Sequence, residues 1–242
     1  MSVIRKERMR FWLITAAAVA GILVTAALGR WQLGRAAEKE ALQARMALRG
    51  GEPVLDGASL AGDVAPDELL QRRIAARGHW LAAHTVYLDN RPMQGRAGFY
   101  VITPLRLAGS DAVVLVQRGW VPRDFADRTR VPVVETPQGP VEVQGRIVPP
   151  PSKLYELGEA GQGRIRQNLD LAQFGAETGL ALVPLSIQQT DPPAGGLLRE
   201  WPAPAAGVEK HHGYAFQWFG LSALIAVLYV WFQIVKRFRR QH

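Results

Sequence analysis

The sequence predicts a membrane protein of mixed α and β structure, in which two transmembrane helices flank one exported, mainly antiparallel β domain. Three observations lead to this fold class. An apolar segment lies near each end of the 242-residue chain, basic residues cluster outside those segments, and short strand-like patterns fill the region between them. We expect the β domain to form a small barrel or a sandwich.

Residues 11–29 form the first predicted transmembrane helix. Residues 11–28 carry no charge, and at 1.5 Å per residue they reach about 27 Å, roughly one hydrocarbon core. A cleaved signal peptide is the alternative, because residues 18–20 offer a small-x-small site. The apolar stretch is longer than a typical signal core, so an uncleaved anchor is favoured.

Residues 214–235 form the second predicted transmembrane helix, interrupted by few polar residues. Small residues on the first span recur every four positions and could let another backbone approach closely; they are Ala17, Gly21, Thr25 and Gly29. Two sets on the second span could face them. One set is Gly220, Ala223 and Ala226, and the other is Ser222 and Ala226.

The charge distribution predicts the orientation of both spans. Residues 1–10 and 236–242 hold eight of the 29 Lys and Arg residues but one of the 21 acidic residues. Basic residues are retained on the cytoplasmic side, so both termini are expected there and residues 30–213 in the periplasm. No amphipathic transit sequence precedes the first span, which favours a bacterial inner membrane. The basic balance therefore indicates a lipid bilayer as partner, and not nucleic acid.

The exported segment is predicted to be mostly strand. Two patterns indicate helices: residues 30–47, continuing from the first span, and residues 169–178, with Asn168 as N-cap and Gly179 as C-cap. Segments 49–66 and 149–163 are predicted loops. A hairpin is expected around Gly109. The predicted strands are 72–78, 85–89, 99–107, 113–119, 141–148 and 182–190.

The exported segment shows no catalytic motif. Cysteine is absent, which excludes disulfides, thiol chemistry and covalent haem attachment through C-x-x-C-H. No G-x-S-x-G elbow or phosphate-binding glycine loop with a following helix is present. Arg118 and Arg123 could meet an anion or could be solvated residues at a strand end. We therefore predict that the protein is not an enzyme.

The candidate functional residues lie where the exported segment meets the second span. His211, Tyr214 and Trp218 follow i, i+3 and i+7 and share one face of a helix. One imidazole beside aromatic side chains is what an axially ligated haem requires. Interfacial belt residues are the alternative interpretation of the same pattern. Arg30 and Trp31 lie at the matching depth on the first span.

Four sequence blocks resemble the signature blocks of the Surfeit locus protein 1 family. In order and spacing they extend over nearly the whole chain. The blocks are residues 28–35 (LGRWQLGR), 98–105 (GFYVITPL), 115–123 (LVQRGWVPR) and 211–221 (HHGYAFQWFGL).

The resemblance implies an assembly factor, or chaperone, for haem-copper cytochrome c oxidase. It implies haem a as a transient cofactor, and the catalytic subunit of the oxidase and other oxidase assembly factors as partners. The family's H-x-x-Y histidine falls on His211 and not on His212, which makes His211 the candidate haem iron ligand. Tyr214, Trp218 and Trp31 would supply apolar walls, and Arg30 a propionate partner. A haem-free scaffold that stabilises an oxidase intermediate is the alternative.

Overall fold

The computed structural model describes residues 2–62, 65–124, 126–127, 130–151, 163–202 and 207–236. The chain divides into two compact units. One is helical and comprises Met1–Ala44 and Ala203–His242, and the other is the β-rich unit Arg45–Pro202.

Two long helices form the helical unit. Helix α1 spans Ser2–Gly50 without a break, and its last turns pass into the β-rich unit. Helix α4 spans Val208–Tyr229 and continues as a π-helical segment over Val230–Val235. Both are long and apolar enough to cross a membrane, and they contain the two predicted spans. The predicted continuation of the first span into a helix over residues 30–47 is confirmed.

A seam of half-buried and buried residues runs along each helix of this unit. The seam positions are separated alternately by four and three residues, as in a coiled coil. On α1 they are Phe11, Thr15, Ala18, Ile22, Thr25, Gly29, Gln32, Ala36 and Lys39. On α4 they are His211, Ala215, Trp218, Ser222, Ile225 and Tyr229.

Polar contacts fix the antiparallel register of the two seams. The hydroxyls of Thr15 and Tyr229 hydrogen-bond at 2.9 Å. The Ser222 hydroxyl donates to the carbonyl of Ile22 at 3.3 Å. Of the two predicted sets on the second span, the structure therefore supports the one containing Ser222, since Gly220 is exposed.

The β-rich unit is a closed barrel with additional short strands. The strands are β1 Leu55–Asp56, β2 Arg73–Trp80, β3 Val86–Leu88, β4 Gly98–Leu107, β5 Val113–Pro122, β6 Pro140–Val148, β7 Ile165–Arg166 and β8 Leu182–Gln189. The sheet order is β1-β2-β6-β8-β5-β4-β3-β7, and a further pairing of β2 with β4 closes a ring of five strands. All six predicted strands are present.

The barrel, and not the sandwich, is therefore the correct one of the two predicted forms. Most pairings are antiparallel, including the predicted β4–β5 hairpin, which turns at Gly109 with φ +78°. Three pairings are parallel: β1 with β2, β3 with β7, and β5 with β8. The parallel β5–β8 pair is one of the pairs that form the closed ring, so the barrel contains both parallel and antiparallel pairings.

Alternating strand residues fill the barrel interior, as the two-residue period of a strand requires. Ile74 and Ala76 on β2 point to the same cluster as Val114 and Val116 on β5. A second cluster lies around Phe174 of helix α3, Leu171–Thr178. Strand β5 contributes Leu115 to this second cluster, and so it is buried on both faces, as its unbroken apolar run suggests.

The structure corrects the predicted N-cap of the helix after residue 168 and the predicted loop over residues 49–66. The N-cap of α3 is Asp170 and not Asn168, because the Asp170 carboxylate accepts from the backbone N–H groups of Ala172 and Gln173. Gly179 is the C-cap, as predicted, at φ +69°. Segment 49–66 is not a plain loop, since it contains β1 and a 3-10 helix, Gly57–Leu60, and its last residue begins the short helix α2, Pro66–Leu69. Most of segment 149–163 lies outside the described residues.

Candidate functional site

Exposed aromatic residues mark two levels along the helical unit. Trp12 and Trp31 on α1 are exposed and stand about 28 Å apart along the helix axis. Tyr214 and Trp231 on α4 are also exposed, about 26 Å apart. Aromatic residues at such spacing are typical of the two interfaces of a bilayer. His211 lies one helical turn beyond Tyr214, outside the apolar segment 214–235.

His211 occupies the first seam position of α4 and contacts α1. Its Nδ1 lies 2.7 Å from Oε1 of Gln32, and the ring is half-buried between the helices. Within the described part of the chain Nε2 has no hydrogen-bond partner. Because the amide oxygen of Gln32 can only accept, Nδ1 is the protonated nitrogen in this contact. The lone pair of the neutral ring is then on Nε2.

Three basic residues act on His211 through their charges: Lys39, Arg35 and His212. The pKa of His211 lies below its usual value because partial desolvation disfavours the charged ring. The charges of Lys39, Arg35 and His212 act in the same direction. The site therefore favours the neutral imidazole, which is the form that binds metals.

The neighbouring His212 has a different environment. It is exposed, and its Nε2 lies 3.0 Å from the carboxylate of Glu40. Both histidines thus link α4 to α1, but His212 does so outside the seam and through its Nε2. The two residues are matched in chemistry and differ in position, so His212 is a suitable control for His211.

The other predicted site residues lie around the seam. Trp218 is half-buried on the seam, two turns below His211, whereas Tyr214 is exposed beside it. Arg30 and Trp31 are exposed on α1 and are not seam residues. The structure therefore brings His211 and Trp218 onto the helix contact and leaves the other three at its margin.

Gly29 of α1 lies against the aromatic ring of Phe219 on α4. A Cβ at Gly29 would lie 2.8 Å from Cζ of the Phe219 ring, closer than real side chains come. A glycine at this position lets the ring lie against the backbone of α1. This contact lies one helical turn below Gln32 on α1.

The donor set suits a group that needs one nitrogen ligand. Among the described residues no three His, Cys, Asp or Glu side chains lie together as a metal site would require. A haem needs only an axial imidazole and apolar walls. The half-exposed His211 ring, with an available Nε2 and aromatic side chains on the same helix, fits that requirement.

Arg118 and Arg123 in the β-rich unit do not form an anion site. Arg118 is 6% exposed, and it stacks on Trp80 with its Cζ 4.7 Å from the ring centroid. It donates to the Thr136 hydroxyl at 2.7 Å and to the Glu135 carbonyl at 2.9 Å. Burial lowers its pKa to about 10, and Arg199 contributes to the same shift.

Arg123 forms an ion pair with Asp89. Both arginines therefore bind protein groups. The alternative of solvated strand-end residues is also wrong, because the side chain of Arg123 is largely covered and that of Arg118 is buried.

Comparison with known proteins identifies the family. The model of the SURF1 family matches residues 19–223. The chain belongs to the SURF1 family. The match includes the blocks around Gln32, Arg118 and His211, as the resemblance of the sequence blocks predicts.

Curated relatives match between 44% and 89% of the chain. A SURF1-like protein of Rickettsia bellii is 28% identical over 223 residues, which cover 89% of this chain and 87% of the relative. A SURF1-like protein of Drosophila melanogaster is 33% identical over 58% of this chain and 46% of its own length. The Surfeit locus protein 1 of Arabidopsis thaliana is 31% identical over 44% of this chain and 33% of its own length.

Sequence reasoning did not find Gln32 and Phe219 as parts of the site. The residues lie in the LGRWQLGR and HHGYAFQWFGL blocks, but single-helix periodicity gives no information about which residue on one helix meets which residue on the other. The alternating spacing of four and three residues on both helices is the signal that could have shown it.

Proposed function

We propose that the protein assists the assembly of haem-copper cytochrome c oxidase by holding haem a at His211 for the catalytic subunit. Membership of the SURF1 family supports the assembly role. The observation that supports the haem role is the half-exposed His211 ring, whose Nδ1 is bound by Gln32 and whose Nε2 is available. When bound, haem a would supply the redox chemistry of the oxidase, and this chain would supply the His211 imidazole and an apolar surface to hold it.

The proposed location is a bacterial inner membrane, with both termini cytoplasmic and the barrel in the periplasm. Basic residues cluster in the two tails, and the exposed aromatic residues stand at interface spacing along both helices. In this orientation His211 lies at the periplasmic face. A haem held there would be at the membrane surface, where a membrane-embedded oxidase subunit can receive it.

Tyr214 and Trp218 would contact the haem on the side of α4, and Trp31 on the side of α1. Arg30, one residue before Trp31, would pair with a propionate, since guanidinium groups bind carboxylates with two parallel hydrogen bonds. Arg30 and Trp31 are exposed and therefore accessible to such a ligand. One histidine ligand gives modest affinity, which a carrier needs in order to release its cargo.

The barrel is proposed to dock on the catalytic subunit or on other oxidase assembly factors. It is not proposed to catalyse a reaction. Its two prominent arginines, Arg118 and Arg123, are engaged by protein groups, and its interior is filled with aliphatic side chains. These features support a rigid binding module.

The test is the visible absorption spectrum of the detergent-purified protein from cells that make haem a. Three proteins are compared: the unaltered chain, His211→Ala and the control His212→Ala. We expect a haem band in the first and the third, and its loss in His211→Ala. If none of the proteins carries haem, or if all carry it equally, the haem role at His211 is wrong. The scaffold function then becomes the better explanation of oxidase assembly.

A further inference from the structure

We propose that Gln32 is a positioning residue that fixes the tautomer and the ring orientation of His211, so that Nε2 is the nitrogen offered to haem iron. This inference rests on the proposed function, because it assumes that His211 is the ligand. Gln32 lies in the block 28–35, and the sequence pattern alone does not single it out.

The contact between His211 and Gln32 determines which ring nitrogen carries the proton. Nδ1 of His211 and Oε1 of Gln32 are 2.7 Å apart, a short hydrogen bond between a ring nitrogen and an amide oxygen. A carbonyl oxygen has no proton to donate, so the proton belongs to Nδ1. A neutral imidazole has one proton, and its other nitrogen must then carry the lone pair.

Gln32 lies at the contact between the two helices. It is a half-buried seam residue between Gly29 and Ala36, both of which are buried. An apolar side chain would pack well at such a position, and a polar one is unfavourable there unless it is hydrogen-bonded. The contact with His211 satisfies the amide oxygen. A glutamine at this position therefore has a specific partner and is not a generic surface residue.

A hydrogen bond to the second ring nitrogen of a histidine affects how strongly the first one binds a metal. Histidine ligands usually donate their second ring N–H to an oxygen atom, which fixes the tautomer and raises the basicity of the ligating nitrogen. Loss of such a partner typically weakens metal affinity by about 10- to 100-fold. Gln32 would act in this way, through the ring of His211, without touching the haem itself.

The variants are chosen to separate this role from helix pairing. Gln32→Leu removes the acceptor but keeps a side chain that suits the seam, so the two helices should stay paired. Gln32→Glu keeps an acceptor oxygen and makes it charged, which strengthens the hydrogen bond to Nδ1. Glu40→Gln is the matched control, because it alters a neighbouring contact between the same helices at His212 and not at His211.

The first measurement needs no haem. Nitrogen-15 NMR of the purified protein labelled at histidine reports which ring nitrogen of His211 carries the proton, with His211→Ala used to assign the signal. We expect the Nδ1–H tautomer in the unaltered protein and in Glu40→Gln. In Gln32→Leu the proton should move to Nε2, the site that a free imidazole prefers.

The second measurement is a titration with hemin, followed by resonance Raman spectra of the reduced complexes. Gln32→Leu should bind hemin about 10- to 100-fold more weakly. Its iron–histidine stretching band should move to lower frequency, and that of Gln32→Glu to higher frequency. Glu40→Gln should match the unaltered protein in both.

The outcomes distinguish the two proposals. If Gln32→Leu keeps the Nδ1–H tautomer, the hemin affinity and the Raman band of the unaltered protein, the role of Gln32 is wrong, while loss of hemin in His211→Ala still supports the haem site. If His211→Ala binds hemin as tightly as the unaltered protein, His211 is not the ligand and both proposals fail.

Discussion

Gly78→Ala is predicted to open the barrel at the β2–β4 closure. Gly78 pairs with Leu107, and a Cβ at this position would lie 2.1 Å from the backbone carbonyl oxygen of Arg106. An ordinary carbon–oxygen contact is about 3.3 Å or more. The two strands must therefore separate by about 1 Å, and the obstacle is backbone, which cannot swing aside as a flexible side chain can.

The cost follows from what this separation breaks. Two backbone hydrogen bonds of 2.9 Å flank the site, from Leu81 to Pro104 and from Ala108 to Arg77. Each contributes about 1 kcal/mol. Partial exposure of the buried Leu105 and Leu107 side chains adds about 1 to 2 kcal/mol. The total of about 3 to 4 kcal/mol is at the upper end for a single substitution.

Amide hydrogen exchange of the full-length protein in detergent measures this cost at the site. In the regime where exchange follows the opening free energy, peptides from β2 and β4 should exchange about 10²- to 10³-fold faster in Gly78→Ala. Gly139→Ala is the control, because a Cβ there meets no atom within 4 Å. Equal exchange in both variants would show that β2 and β4 do not close the barrel, and the reasoning would be refuted.

Three further predictions address other contacts. Arg118→Lys should destabilise the protein by about 2 kcal/mol, measured by urea unfolding. The guanidinium group of Arg118 bonds two oxygens and also stacks on Trp80, which an ammonium group cannot do at once. An unchanged midpoint of urea unfolding would contradict this prediction. Asp170→Ala should cost about 1 kcal/mol by loss of the α3 N-cap, seen as faster amide exchange in α3, whereas Asp170→Asn should retain most of the protection. Hemin affinity should be constant down to about pH 6.5 and should decrease only below that pH, because the folded pKa of His211 lies below 6.5. In Lys39→Gln the decrease in affinity should begin at a higher pH. If the pH dependence of hemin affinity is the same in Lys39→Gln, the charge of Lys39 does not set the pKa of His211.

The sequence predicted the helices and strands well, since local patterns determine them. Two apolar segments between basic clusters identify the long helices, and alternation with β-branched residues identifies the strands. The N-cap of α3 was placed two residues early, because Asn168 and Asp170 are both good caps and each precedes a leucine. Local sequence does not decide between them, whereas the folded backbone does.

Non-local pairings could not be predicted in the same way. The parallel pairing of β5 with β8 and the closure of β2 on β4 join strands that are distant in sequence, and their register depends on packing around the common core. The site shows the same limit. His211 could be selected from its motif, but its partner Gln32 lies 179 positions away in the sequence and is defined by the antiparallel register of the two helices.

The contact between His211 and Gln32 unites two requirements of the proposed carrier. A membrane anchor needs a polar contact that fixes the register of its helices where they leave the apolar layer, and a haem carrier needs a histidine with a fixed ring. One hydrogen bond of 2.7 Å serves both, since it uses Nδ1 and leaves Nε2. Rotating the ring to offer the other nitrogen would break the helix contact, so the proposed ligand and the proposed membrane anchor would be oriented together. A haem presented in this way would keep a defined depth about one helical turn beyond the level of Tyr214, which would favour lateral transfer to a partner in the same membrane over release into the periplasm.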